Sequence, residues 1–240
     1  MKRLIYILLT IICLTACQQE QLQPSQGRGV LELDLQRMGR PTVSTRAVDD
    51  DLTVDILKDG VLYNGMHFAP GNVPVKIVLE PGSFTIRAYT DNQDSWKTAN
   101  GGKGESCYMA ETTVEMEEDM VKRLTLQVPM TNYAVSLELP EHFNNLFRSY
   151  VFTLKSGGRT TTIKEGEKAY FDPADQGFSY ALSATNTDGN THAHSAIGFP
   201  DVAAGKLFTL RYSYDSDATS GGVDIVITDD METDDTNVSL

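Results

Sequence analysis

This sequence predicts an all-β fold of two tandem antiparallel sandwiches, on three observations. Apolar and polar residues alternate with period two in segment after segment, turn-forming residues separate those segments, and the second half of the chain echoes the first. Period-two alternation buries one face of a strand and wets the other, whereas an amphipathic helix repeats every 3.6 residues.

The first strand is predicted in VLELDLQ, where Leu31, Leu33 and Leu35 share one face and Glu32, Asp34 and Gln36 the other. SFTIRAY continues the pattern through Phe84, Ile86 and Ala88, and KRLTLQV through Leu124, Leu126 and Val128. In the second half, YAVSLEL does so through Tyr133, Val135, Leu137 and Leu139, and SYVFTLK through Tyr150, Phe152 and Leu154. FSYALSA (Phe178, Tyr180, Leu182), LFTLRYSY (Phe208, Leu210, Tyr212, Tyr214) and GGVDIVIT (Val223, Ile225, Ile227) complete the series. Lys58-Asp59-Gly60, Glu80-Pro81-Gly82, Lys155-Ser156-Gly157-Gly158 and Thr187-Asp188-Gly189-Asn190 supply the turns, because Gly and Asp tolerate backbone angles closed to most residues. One helical turn is expected in EHFNNLFRSY, through Phe143, Leu146 and Phe147.

Phe84-Thr85-Ile86 is echoed by Phe178-Ser179-Tyr180, and Lys122-Arg123-Leu124-Thr125-Leu126 by Lys206-Leu207-Phe208-Thr209-Leu210. A spacing near 90 residues suits one sandwich of about seven short strands. A boundary is therefore expected near Pro129-Met130-Thr131, with sandwiches over 29–129 and 130–228. The segment DNQDSWKTANGGKGES, Asp91 to Ser106, is the longer loop of the first half.

The N-terminus reads as an export signal. Met1-Lys2-Arg3 precedes the apolar run Leu4 to Ile12, too short to span a bilayer, which takes roughly 20 residues. A basic start, an apolar core and a small-residue end mark a secretory signal. Leu14-Thr15-Ala16-Cys17 closes it and resembles a lipobox, in which cleavage between Ala16 and Cys17 would release 1–16 and leave Cys17 carrying palmitate-type acyl chains. Several chains on one residue anchor firmly where one does not. The polar stretch 17–28 then reads as a tether, and 229–240 as an acidic disordered tail.

Net charge is −13, and loss of Lys2 and Arg3 with the signal makes it −15. A surface this acidic argues against nucleic acid or an anionic lipid surface as partner; the membrane is reached through the lipid. Cys13 leaves with the signal, Cys17 is the attachment point, and Cys107 remains unpaired. No disulfide framework follows, and Cys107 reads as a small buried hydrophobe.

Catalytic and cofactor signatures are missing from the chain: there is no HExxH, GxSxG or CxxC, so no enzyme, metal or cofactor is expected. Gly205-Lys206-Leu207 lacks the Ser or Thr and upstream glycine of a phosphate loop and reads as a hairpin turn. His192 and His194 would share a strand face, but two ligands make a poor zinc site. His67 and His142 have no obvious carboxylate partner. Asp49-Asp50-Asp51, Asp215-Ser216-Asp217 and the acids from Asp229 to Asp235 lack calcium-loop spacing and read as solvated loops. Trp96 has two readings: a ring stacking on a sugar, with Tyr89 or Tyr108 beside it, or a ring covering the end of a core.

The lipobox, GVLELDLQRMGRPTVSTRAVDDDLTVDILKDG and LEPGSFTIRAYTDN together resemble the fimbrillin-like, two-domain surface lipoproteins of Bacteroides-type bacteria. The resemblance covers Gly29 to about Thr228. It implies two transthyretin-like or immunoglobulin-like sandwiches, no enzymatic activity, and a role in adhesion or fimbrial assembly at the outer membrane. In polymerising members an arginine protease cuts after the first strand, and Arg46-Ala47 in Ser44-Thr45-Arg46-Ala47 matches that position. A surface arginine in a plain linker is an equal reading of Arg46. The polar ending DDMETDDTNVSL is no donor strand, so the expected role is an anchor or tip-like subunit whose partners are fimbrial subunits or a surface ligand. The alternative is a glycan-binding lipoprotein of a polysaccharide-capture system, for which Trp96 is the candidate platform.

Overall fold

The computed structural model describes residues 27–38, 51–199, 201–214 and 221–228. The signal 1–16 with Ala16, the anchor Cys17, most of the tether, the Arg46-Ala47 position and the tail 229–240 lie outside the described residues. So do the acidic positions predicted beside or within them, Asp51 excepted.

The chain forms two β-sandwiches in tandem. In the first, β1 (Gly29–Arg37) lies between β4 (Lys76–Leu79) and β7 (Val121–Val128). The second sheet runs in the order β3 (Val61–Phe68), β2 (Thr53–Lys58), β5 (Gly82–Tyr89), β6 (Met109–Met116). Leu31, Leu33, Leu35, Ile77 and Val128 of one sheet meet Val54, Ile56, Phe84, Ile86 and Val114 of the other in one core. The second sandwich repeats this plan. β11 (Lys168–Phe171), β8 (Tyr133–Glu138), β14 (Leu207–Tyr214) and β15 (Gly221–Thr228) form one sheet. β10 (Arg159–Ile163), β9 (Phe147–Ser156), β12 (Phe178–Asn186) and β13 (Thr191–Phe199) form the other. Its core is aromatic: Tyr133 touches Phe171, Phe178 and Phe208, at ring separations of 5.8, 6.2 and 5.7 Å.

The echo in the sequence corresponds to equivalent places. Phe84 lies in β5 and Phe178 in β12, each in the strand second from its sheet edge. Leu124 pairs with Leu33, and Phe208 with Val135. These pairings are parallel, β1 with β7 and β8 with β14, inside sandwiches that are otherwise antiparallel. Alternation reports which face of a strand is buried, not which way its neighbour runs, and a parallel pair needs the intervening chain to cross over. The halves differ in one respect. β15 extends the sheet beyond β14, while among the described residues nothing extends it beyond β7.

Several strands escape the period-two rule for identifiable reasons. β2 is buried on both faces from Thr53 to Leu57, so it alternates hardly at all. β3 is mostly exposed and is interrupted at Asn64 and Gly65, both with positive φ. β4 and β11 are four residues long. The Lys58-Asp59-Gly60 turn joins β2 to β3 with φ of 53° at Asp59 and 77° at Gly60, the pair of left-handed residues a tight hairpin favours. The helical turn is present at Phe143–Leu146, and Phe143 stacks on Phe147 at 4.6 Å.

Tyr133 joins the second core together. Its side chain has no exposure; its hydroxyl lies 3.0 Å from Ser156 Oγ and donates to Gly177 O at 3.2 Å. Burial pushes its phenol up to about 12. A raised pKa means the folded chain holds this proton more tightly, so the stability it contributes is present below pH 10 and is lost as pH rises from 10 to 12. Denaturant unfolding at pH 9 and pH 11 is expected to show that loss, at most about 1.4 kcal/mol per pH unit from this phenol. Tyr133→Phe should make the decline shallower.

Candidate functional site

The candidate site is the slot that β1 fills between β4 and β7. Val30, Leu31, Leu33 and Leu35 are buried in it. At about 1.5–3 kcal/mol for each large apolar side chain, they contribute on the order of 6–12 kcal/mol, an upper bound because the unfolded chain is itself partly compact. That is comparable to the whole net stability of a typical domain, so filling this slot is a large part of what stabilises the first sandwich.

Both ends of β1 are tied down. Val30 N donates to Met120 O at 2.7 Å, Leu33 N to Val75 O at 3.1 Å, and Met38 N to Val128 O at 3.0 Å. A Cβ at Gly29 would meet Glu117 O at 2.8 Å, so the entry of the strand suits glycine. At the exit, Arg37 Nη2 bonds Asp51 Oδ2 at 2.6 Å, and its guanidinium lies 5.3 Å above the Tyr108 ring. Arg37 and Asp51 thus hold together the two ends of the segment that contains Arg46.

From Glu32 onward the outward row of β1 is polar. Glu32 pairs with Arg123 Nε of β7 at 2.7 Å and with Lys76 Nζ of β4 at 3.4 Å. The Arg123 hydrogen bond, chiefly, holds its carboxyl below the usual range. Asp34 accepts from Gln36 Nε2 at 3.1 Å and from Thr125 Oγ1 at 3.4 Å.

Trp96 is not at a ligand surface. Only 7% of it is exposed, with the Arg159 guanidinium 5.6 Å and the Lys97 ammonium 5.3 Å from its ring. Arg159 belongs to the second sandwich. It also covers Phe171 and donates to Tyr170 O and to Gly102 O, each at 2.8 Å. Lys97–Asp172 at 2.9 Å and Lys103–Glu167 at 2.6 Å flank this contact, and Tyr170 N donates to Lys103 O at 2.8 Å. The long loop of the first half is therefore a joint between the sandwiches. A stacking platform from Trp96 and Tyr108 is corrected by this burial: Tyr108 is only 1% exposed, and stacking needs an open ring face. Tyr89 is half-buried, and its hydroxyl donates to Asp55 Oδ2 at 3.1 Å.

Two further expectations are settled by packing. His67 has a carboxylate partner that sequence separation concealed: its Nδ1 lies 2.7 Å from Asp55 Oδ1, because β2 and β3 place the two residues side by side. Cys107 is buried, with its backbone N bonded to Asn132 Oδ1 at 3.2 Å, and burial pushes its thiol up, away from the thiolate that nucleophiles require. His192 is exposed with its ring 6.0 Å from Phe147, and His142 directly precedes the helical turn without a side-chain hydrogen bond to it. Among the described residues no cluster of three or more His, Cys, Asp or Glu is gathered as for a metal ion, and no helix is long and apolar enough to cross a membrane.

Comparison with known families matches residues 27–240 to the one described as Domain of unknown function (DUF4493). A comparison with curated proteins finds no match. Among solved structures, the chain is similar to a proposed cell adhesion protein from Bacteroides uniformis ATCC 8492, at 13% identity and a TM-score of 0.49, covering 86% of this chain and 99% of that one. A proposed cell adhesion protein from Bacteroides eggerthii DSM 20697 aligns at 9% identity and a TM-score of 0.48, over 87% of this chain and 97% of that one. A fimbrial assembly protein from Parabacteroides distasonis ATCC 8503 aligns at 8% identity and a TM-score of 0.44, over 85% and 98%.

Two substitutions test the site and the joint. Leu33→Ala is expected to cost about 2–5 kcal/mol, the range for truncating a buried leucine, measured by chemical denaturation. Trp96→Ala is expected to loosen the joint while both cores stay folded, seen as a larger radius of gyration in small-angle scattering with an unchanged far-UV spectrum.

Proposed function

We propose a non-enzymatic, lipid-anchored surface protein with a strand-acceptor site as the function of this chain, which belongs to the family described as Domain of unknown function (DUF4493). Residues 1–16 are its signal and 17–28 its tether, with palmitate-type acylation at Cys17 after cleavage behind Ala16. The sandwiches are domains over 29–129 and 130–228, and 229–240 is an acidic tail. The protein sits on the outer membrane facing outward and acts in adhesion or fimbrial assembly, as an anchor or tip-like subunit.

One observation carries this reading: β1 is an inner strand, bonded to β4 on one side and β7 on the other. The chain entering β1 bears Cys17 and the chain leaving it bears Arg46. A cut between Arg46 and Ala47 therefore separates anchor and β1 from the rest, leaving β1 held by hydrogen bonds and packing alone. Its departure exposes two strand edges and an apolar trough, which another chain's strand completes by β-addition. The resemblance of the first strand and of VSTRAV to fimbrillin-like lipoproteins supports the same reading.

The N-terminus and mass of the protein recovered from its own cell surface test it. A start at Ala47 is the result expected of a strand acceptor. A lipidated chain beginning at Cys17 in every fraction removes the acceptor role and leaves a stationary anchor. Cys17→Ser is expected to abolish acylation and shift the uncut chain out of the detergent phase in a phase-partition assay; retention of that form there would refute the anchor.

A further inference from the structure

The acceptor reading says that the slot takes a strand; the charges around β1 indicate which kind. We infer that the slot reads a carboxylate: the strand it accepts runs parallel to β7 and carries an acidic residue at the place of Glu32, between the first two inward apolar residues, where Lys76 and Arg123 close on it from opposite sides.

The register sets this arrangement. Glu32 stands opposite Lys76 of β4 and, on its other side, opposite Arg123 of β7. One carboxylate thus bridges three strands, with its side chain 20% exposed while Arg123 stays 74% exposed. The remaining outward neighbours across β1 and β7 are uncharged: Thr125 beside Asp34 and Gln127 beside Gln36. When β1 leaves, Lys76 and Arg123 face each other across a gap of roughly 10 Å, two strand spacings. That is about one Debye length in physiological salt, so the emptied slot presents two cations at one level with their shared counter-charge gone.

The same geometry explains what the acid adds to apolar complementarity. A strand slipped by one residue turns its apolar side chains outward and is rejected on that ground. A strand slipped by two, roughly 7 Å along the sheet, keeps them inward but leaves one of the three leucine places to Gly29 or Arg37. Between Lys76 and Arg123 it sets Val30 in one direction and Asp34 in the other. The carboxylate therefore selects partners and disfavours the slip that puts an apolar residue between the two cations, while the leucines supply most of the affinity and oppose both slips.

The test uses the whole mature chain with a site for a sequence-specific protease inserted between Met38 and Arg46, so that cutting does not depend on Arg46. After cutting, a labelled nine-residue strand of sequence GVLELDLQR is offered in excess and its incorporation is followed by native mass spectrometry. The Glu32→Gln version of the strand is expected to enter about fivefold less well, the upper effect of an exposed ion pair. The Asp34→Asn version should match the parent within about twofold. In protein carrying Lys76→Gln and Arg123→Gln, whose far-UV spectrum and cooperative melting before cutting show that the fold is kept, the Glu and Gln strands should become equivalent. Equal entry of the Glu and Gln strands into the unsubstituted protein overturns carboxylate reading while leaving the acceptor function intact. An advantage that survives Lys76→Gln and Arg123→Gln overturns the assignment to those residues. Failure of every strand to enter refutes the acceptor function itself, and carboxylate reading falls with it.

Discussion

The parallel pairing of β1 with β7 is the constraint on which the first sandwich depends. Parallel neighbours cannot be joined by a tight turn, so β1 reaches β7 only after the chain has built β2 to β6. The first strand in sequence is accordingly an inner strand in space, with backbone partners on both sides and leucines in the core. Segments at a chain terminus usually contribute least to a domain. Here the terminal segment holds the sheet together, and its removal leaves two edges and an apolar trough.

The second sandwich repeats the device with β8 and β14 but closes it differently. β15 adds a further strand beyond β14, and β8 follows directly on the preceding sandwich, since β7 ends at Val128 and β8 begins at Tyr133. No terminus runs into β8, so no single cut detaches it from the rest of the chain. Two copies of one plan thus differ in whether a single cut in the chain frees the central strand, and the strand exchange proposed above concerns the first half for that reason. The joint between the halves is compact: Trp96 lies under Arg159, whose guanidinium also reaches two carbonyls, one from each sandwich. Burial favours the neutral form of that guanidinium, while the two carbonyl acceptors and the neighbouring ring faces offset the cost of removing its charge from water.

The fold class was legible because period-two alternation is a direct imprint of a half-buried sheet, and β1, β5, β7, β8, β9, β12 and β14 all carry it. β2 was illegible for the opposite reason, being covered on both faces. The candidate slot was half legible. The apolar row Leu31, Leu33, Leu35 could be read directly, but Lys76 and Arg123 lie far along the chain and nothing local connects them to Glu32. Trp96 shows the same limit, since a tryptophan among amides and lysines looks alike whether its ring faces water or an arginine from another domain.

By itself, then, the sequence determined which residues turn inward, where the chain bends and how often the plan repeats, because these follow from side-chain polarity and local backbone preference over a few residues. Tertiary structure alone decided that β1 lies between β4 and β7, that Glu32 meets two cations, that His67 meets Asp55 and that Trp96 is enclosed at the joint. Each of these depends on strand order and direction, which are set by how whole sheets pack and cross over, and no short window of sequence records them.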